Sequence, residues 1–280
     1  MAQTNPGRSD YQKQFITVFR ELTYRHQIWQ VWHDFVTMAA TSIANAVHPD
    51  HFDQREKTYL EIIRRYDAAE QQAFPKLFAL VVTAFEDNPE QDFLGNLFMA
   101  LELGSHWKGQ FFTPYHVCNL MAEVQCADLK GVLQAKGHVS VNDPACGAGA
   151  LLIAAANTAK KQNINYQQSM LFVAQDIDPV AAMMCYIQLS LLGCAGCVIV
   201  GDTLSQPPVN PMANTPNIWY TPMYFSSVWH HRRVSDRFRD LMQDHPPIQH
   251  MDQDSAQVNM PAAEAPPVHV DEVCIQLTLF

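Results

Sequence analysis

Over residues 11–103 apolar positions return with helical spacing. Phe15, Val18, Phe19 and Leu22 fall at i, i+3, i+4 and i+7, and Ile28, Val31, Trp32 and Phe35 repeat the stripe. The same spacing predicts helices over 58–73 and 76–85, and Asp87-Asn88-Pro89 interrupts the pattern. Over 109–225 the texture changes to short apolar runs alternating with helical stretches. "HVSVNDPA" (138–145), "MLFVAQDIDP" (170–179) and "CVIVGDTL" (197–204) read as strands, and "NIWYT" as a fourth. "GALLIAAANTAKKQ" and "VAAMMCYIQLSLLG" are the helices between them. Strands alternating with helices of this length predict a parallel, doubly wound sheet, an α/β fold of Rossmann-like type.

After residue 242 the periodicity stops. "DHPPIQHMDQDSAQVNMPAAEAPPVHVDE" is rich in Pro, Ala, Gln and acid, and buries too little apolar area to offset its ordering entropy. The expected organisation is an α-helical region over 1–105, a cofactor-binding domain over 106–242, a disordered linker over 243–272 and a terminal peptide over 273–280.

The chain has 280 residues, 48% of them hydrophobic, enough for a substantial core. No apolar run reaches the roughly 18–20 residues of a membrane span, and the first residues lack a signal peptide's apolar stretch, so a cytoplasmic protein is expected. The net charge of −10 argues against a generally DNA-coated surface, although "HHRRVSDRFR" (230–239) is locally basic. Seven cysteines, scattered through periodic segments, favour reduced thiols. Cys194-Ala-Gly-Cys197 has no second pair and reads as packing before a strand, not as a metal site.

The candidate chemistry lies where strands end. Asp143-Pro-Ala-Cys-Gly147-Ala-Gly149 sits at a strand-to-helix junction, where glycines let backbone approach a ligand and helix N–H groups face something polar. A tight turn without a ligand would use the same residues. Asp176 ends the next strand, where doubly wound folds set an acid against ribose hydroxyls. Asp202 ends the third and can accept from an exocyclic amine. Gly-loop, acid and acid on consecutive strand tips point to one nucleoside-bearing ligand.

"GQFFTPYHV" (109–117), "NDPACGAGALL" (142–152), "QDIDP" (175–179) and "GDTL" (201–204) together resemble the adenine-N6 DNA methyltransferases. The likeness is to modification subunits of type I restriction systems and their stand-alone plasmid or phage relatives, and "DFLGNLFMALELG" resembles the helical lead-in of that group. The resemblance covers residues 90–225 and implies a Rossmann-like methyltransferase fold with an S-adenosyl-L-methionine pocket. It implies that Gly109, Gln110, Phe111, Phe112, Thr113 and Pro114 line the methionine end, Phe112 packing on the cofactor and Thr113 holding the carboxylate. Asp143, Ala145, Cys146, Gly147 and Gly149 pass beneath the methionine part, Asp176 with Ile177 takes the ribose, and Asp202 the adenine amine. Ala148 and Ala150 stand where the family often has Ser or Gly. DNA is the implied substrate, with a specificity or partner subunit; methylation of a non-DNA substrate is a further alternative.

The family's catalytic loop, Asn (or Asp)-Pro-Pro-Tyr (or Phe), stacks a flipped adenine and accepts from its amine. In this chain "TPMY" (221–224) stands at that distance after "GDTL". Thr221 and the Pro222 carbonyl are the candidate amine acceptors, and Tyr224 the candidate stacking ring. A Thr hydroxyl is shorter than an amide, and losing such a preorganised contact costs about 2.7–4 kcal/mol, so the activity is expected to be weakened or partner-dependent. Asn210-Pro211-Met212 and Asn214-Thr215-Pro216 follow no strand-like run and are set aside. The family also continues with three more strands, so the sheet is expected to be short and its edge to need a cover: a helix at 226–242, the N-terminal helices or a partner.

The last five residues, Gln276, Leu277, Thr278, Leu279 and Phe280, resemble the peptide by which bacterial replication and repair proteins dock on the DNA polymerase sliding clamp. That resemblance implies Gln276, Leu277, Leu279 and Phe280 as partner-binding residues. It also supports an alternative function, a non-catalytic methyltransferase-fold adaptor. The competing reading of "VCIQLTLF" is a final β-strand that covers the open sheet edge.

Overall fold

The first two helical stripes meet through aromatic rings. Helix α1 (Gly7–Thr23) brings Phe15 and Phe19 edge-on to Trp32 of α2 (Ile28–Val47), with centroids 6.2 and 5.9 Å apart, and Phe15 also meets Phe93 at 6.4 Å. All four rings are buried, and rings in this edge-to-face arrangement gain beyond their area. The computed structural model describes residues 7–103, 112–205, 215–244 and 274–276.

The single helix expected over 58–73 is two. Helix α3 runs Phe52–Ile63 and a one-turn α4 runs Ala68–Gln71. Asp67 restarts the chain: its carboxylate accepts from the Ala69 and Glu70 N–H groups, while Glu70 accepts from the Asp67 N–H at 2.9 Å. This reciprocal cap competes with helix continuation, which apolar spacing alone does not reveal. Helix α5 (Ala73–Asp87) contains the stretch expected over 76–85, and α6 (Phe93–Ala100) comes after the break at Asn88-Pro89.

Two helices, α7 (Tyr115–Gln125) and α8 (Leu129–Lys136), lead into strand β1 (Val139–Asp143). Helix α9 (Ala150–Lys161) and the short α10 (Tyr166–Ser169) connect to β2 (Met170–Asp176), and α11 (Pro179–Leu191) to β3 (Ala195–Val200). After β3 come β4 (Ile218–Tyr220), a 3-10 turn (Pro222–Phe225), α12 (Ser227–Asp244) and β5 (Cys274–Gln276). The sheet order is β4-β3-β2-β1-β5. Strands β1, β2, β3 and β5 are parallel, each pair in continuous register. Helix α11 buries residues all round, as expected between a sheet face and another layer. That further layer is α2, which packs against α11.

Two expectations are corrected here. Strand β4 is antiparallel to β3, with Cys197 opposite Tyr220 and Ile199 opposite Ile218. A parallel strand needs a crossover of a dozen or more residues, usually helical, and the connector 201–217 carries four prolines. The cover for β1 is neither α12 nor a helix of the N-terminal region: β5 pairs with Ser140, Val141 and Asn142. The short sheet therefore closes its central edge with the C-terminal strand. Most of the expected linker, 245–272, lies outside the described residues.

On the second sheet face Val173, Cys197, Ile218, Tyr220 and Tyr224 form a small cluster. The N-terminal helices reach this edge too. The His48 ring stacks on Phe225 at 5.1 Å, and the buried Arg55 guanidinium lies 5.0 Å from the Trp219 ring centre. Among the described residues no helix is long and apolar enough to cross a membrane.

Candidate active site

Parallel strands β1, β2 and β3 end side by side, so their tips share one rim of the sheet. In open α/β sheets ligands bind beyond the carboxyl ends of the strands. Asp143, at the tip of β1, is 6% exposed and accepts one backbone hydrogen bond, from the Ala145 N–H at 3.2 Å. Burial pushes its carboxyl up to about 7, and the neighbouring Asp176 charge adds to the rise. Asp176 is also raised by burial, against the hydrogen bonds it accepts from the Asp178 N–H at 2.9 Å and the Gly147 N–H at 2.8 Å.

The loop between β1 and α9 is tied to both neighbouring strands. The Cys146 N–H donates to the Gln175 carbonyl on β2 at 2.9 Å, and the Thr203 hydroxyl beyond β3 donates to the Pro144 carbonyl. Gly147 and Gly149 both have positive φ, 54° and 93°, where a side chain is strained. Space is limiting as well: a Cβ on Gly149 would lie 2.8 Å from the Cys185 Sγ, and one on Gly147 would lie 3.0 Å from the Phe112 ring. Both glycines are therefore required by the loop itself, with or without a ligand. The Cys146 thiol is held protonated by its hydrogen bond with Cys185 and by burial.

Beside the loop, Ile177 is 68% exposed and offers an apolar surface next to the Asp176 carboxylate. Asp202 accepts from the Leu204 N–H and the Ser205 hydroxyl, both at 3.0 Å, in a turn at the rim. Phe112 packs on Phe98 with centroids 5.1 Å apart, Thr113 presents its carbonyl to the Cys118 thiol, and Pro114 opens α7. Gly109, Gln110 and Phe111 lie outside the described residues. Phe112, Asp143, Ala145, Cys146, Gly147, Gly149, Asp176, Ile177 and Asp202 thus border one rim, where three carboxylates, a glycine loop and apolar surface coexist. That donor set suits a cationic nucleoside such as S-adenosylmethionine: carboxylates for its hydroxyl and ammonium groups, apolar surface for its base.

Thr221, Pro222 and Tyr224 are not at this rim. Because β4 runs antiparallel, Thr221 stands opposite Gly196, at the start of β3: its N–H donates to the Gly196 carbonyl at 3.0 Å. From Gly196 to Asp202 is six residues, roughly 20 Å at about 3.3 Å per residue. Thr221 is fully buried, its hydroxyl donating to the Cys194 carbonyl at 2.7 Å and accepting from the Gly196 N–H at 3.0 Å. The Tyr224 ring stacks on Tyr220 at 4.6 Å, and the Arg233 guanidinium lies 3.9 Å from its centre. Pro222 opens the 3-10 turn. These residues line the outer edge of the sheet, away from the tips of β1, β2 and β3 where an adenine acceptor and a stacking ring were expected. Two arginines of the basic segment are turned onto the protein itself, Arg232 donating to the Gly137 carbonyl and Arg233 to that of Tyr224.

Cys194 and Cys197 are both buried thiols, raised by burial. Gln276 falls in β5 opposite Asn142, whereas Leu277, Leu279 and Phe280 lie outside the described residues. Sequence reasoning missed Gln188 and Asp92, both buried and hydrogen-bonded to each other behind the loop. The signal was present: Gln188 is a lone amide in the apolar helix "VAAMMCYIQLSLLG".

Several solved structures are similar to the chain, two of them as follows at low identity. One is a class I S-adenosylmethionine-dependent methyltransferase of Listeria monocytogenes, 14% identical with a TM-score of 0.42, the match covering 72% of this chain and 56% of that one. The other is a type I restriction-modification methyltransferase subunit from Streptococcus thermophilus, 12% identical with a TM-score of 0.37, covering 72% and 59%. The chain thus spans less than two thirds of either protein. No curated protein matches it. The sequence profile of the N-6 DNA methylase family matches residues 97–257, more than half of the chain and all of the rim described above. The chain belongs to the N-6 DNA methylase family, whose cofactor is S-adenosylmethionine.

Proposed function

We propose that this protein holds S-adenosylmethionine at the tips of β1, β2 and β3 for methylation of adenine in DNA, and that transfer depends on a partner. The observation that supports the reading is the shared rim: Asp143 and Asp176 on adjacent tips, with the Gly147–Gly149 backbone between them. When bound, the cofactor supplies an electrophilic methyl group on a sulfonium. Asp143, ionised, is suited to its cationic end; Asp176 keeps lone pairs for the ribose hydroxyls; Asp202 stands as acceptor for the adenine amine; Phe112 and Ile177 exclude water from the apolar parts. Gly109, Gln110, Phe111, Thr113 and Pro114 complete the methionine end in this proposal.

Partner dependence is supported by the placement of Thr221 and Tyr224. A target adenine needs acceptors for its amine and a ring to stack on, and these two side chains are spent on the sheet edge roughly 20 Å from Asp202. The test is detection of N6-methyladenine in DNA from cells with and without the protein, and with the protein plus any subunit that co-purifies with it. A methylated motif only in the last sample supports the proposal. Methylation by the purified chain alone, abolished by Thr221→Ala, would refute it.

The same placement favours a second reading, a non-catalytic adaptor recruited to the sliding clamp through its last five residues. Pairing of β5 with β1 opposes it, because Gln276 would have to leave the sheet to dock. Loss of clamp pull-down on deleting residues 277–280, with β5 left intact, separates the two readings.

A further inference from the structure

Gln188 is fully buried in α11, and every hydrogen-bonding group of its amide is used. One Nε2 hydrogen goes to the Asp92 carboxylate at 2.8 Å and the other to the Ala148 carbonyl at 2.7 Å, while Oε1 accepts from the Leu94 N–H at 3.0 Å. Only one orientation of the amide satisfies this set, since a flip would point donors at the Leu94 donor. Asp92 in turn caps α6, accepting from the Gly95 N–H at 2.9 Å. A second route joins the same two elements: Phe98 of α6 packs on Phe112, which lies against Gly147. The start and end of α6 are therefore both coupled to the loop 147–149, one through a buried amide and one through two rings.

We infer that Gln188 is a positioning residue for the cofactor loop, fixing the Ala148 carbonyl and with it the strained backbone of Gly147 and Gly149, so that the N-terminal helices set cofactor affinity. The inference rests on the proposed cofactor site. Ala148 sits between two left-handed glycines, and the peptide that joins it to Gly149 is held from both sides, its N–H donating to the Cys146 carbonyl at 2.8 Å and its carbonyl accepting from Gln188. Gln188 supplies the one side-chain hydrogen bond to that carbonyl among the described residues.

The test separates positioning from folding. Gln188→Glu keeps the acceptor for Leu94 but loses both donors and faces Asp92 with a second carboxylate. Adding Asp92→Asn restores a donor–acceptor pair between the two side chains, yet leaves Ala148 without a donor. The expected result in the double variant is recovery of most of the lost thermal stability, with S-adenosylmethionine binding still weaker by about tenfold, or about 1.4 kcal/mol. Hydrogen exchange at the 147–149 amides should be faster than in the unaltered chain. Recovery of affinity in step with stability, or unchanged exchange in the loop, would overturn the inference. If the unaltered chain binds no S-adenosylmethionine, the cofactor reading fails, and the exchange rates still decide the role of Gln188.

Discussion

Replacing Asp143 by Asn should make the cofactor-free protein more stable at neutral pH while weakening the site. The carboxyl is 6% exposed, has a single backbone donor and faces the charge of Asp176. Folding moves its pKa from 3.8 to about 7, chiefly through burial. A raised carboxyl pKa means that the folded state holds the proton more tightly than the unfolded one. The stabilisation is complete below about pH 4 and is lost as pH rises through 7. At 1.36 kcal/mol per pKa unit the loss is on the order of 4 kcal/mol by pH 8. Asn cannot ionise, and its side-chain oxygen still accepts from the Ala145 N–H. Urea unfolding followed by circular dichroism at pH 4.5, 6, 7 and 8 reads the difference directly. Wild type and Asp143→Asn should be nearest at the lowest pH, about 1 kcal/mol apart, and diverge above it, the variant being the more stable. Asp176, raised for the same reason, leaves some pH dependence in the variant. A gap that is constant across pH, or a less stable variant at pH 8, would show that the buried Asp143 carboxyl does not set this pH dependence.

Binding of the cationic cofactor should favour the ionised form of Asp143, so titration at pH 6 should release protons. Calorimetry in buffers of different ionisation enthalpy measures this, and Asp143→Asn should remove most of the release. Thr221→Val leaves the Cys194 carbonyl and Gly196 N–H buried without a partner and should cost about 1–3 kcal/mol in urea unfolding, with cofactor affinity unchanged. Thr221→Asn with Met223→Pro, which recreates the family loop in sequence, should lower the melting temperature and produce no N6-methyladenine; methylation by that variant would contradict the placement of β4. Gly149→Ala puts a methyl 2.8 Å from the Cys185 Sγ at a φ of 93°, and should abolish cofactor binding while lowering the melting temperature.

The strand tips were legible because their signals are local. Asp143, Gly147, Gly149, Asp176 and Asp202 each stand close to the point where an apolar strand gives way to a turn, and parallel topology brings consecutive junctions together. The helical stripes of α1 and α2 were legible for the same reason, since one face of each is apolar at 3.6-residue spacing. The illegible features depend on long-range pairing. Ile218–Tyr220 is too short to state its own direction, and only the proline-bearing connector before it hinted at an antiparallel return. The resemblance of "TPMY" to a catalytic loop did not foretell its place at the sheet edge, where the Thr221 hydroxyl bonds to backbone of β3 and its approach. Asp67 looked like a helix interior residue because a cap and a continuation have the same apolar spacing around them. The strand Cys274–Gln276 was readable as an alternative, but its partner β1 lies more than 130 residues upstream, beyond the reach of any local pattern.

The most direct test of the cofactor site is calorimetric titration of S-adenosylmethionine into the full chain, beside Asp176→Ala and Thr221→Val. The expected result is saturable one-to-one binding, weakened at least about tenfold by Asp176→Ala and left intact by Thr221→Val. No binding to the unaltered chain, or equal affinity in the Asp176→Ala variant, would contradict the assignment of the three strand tips to a single nucleoside cofactor.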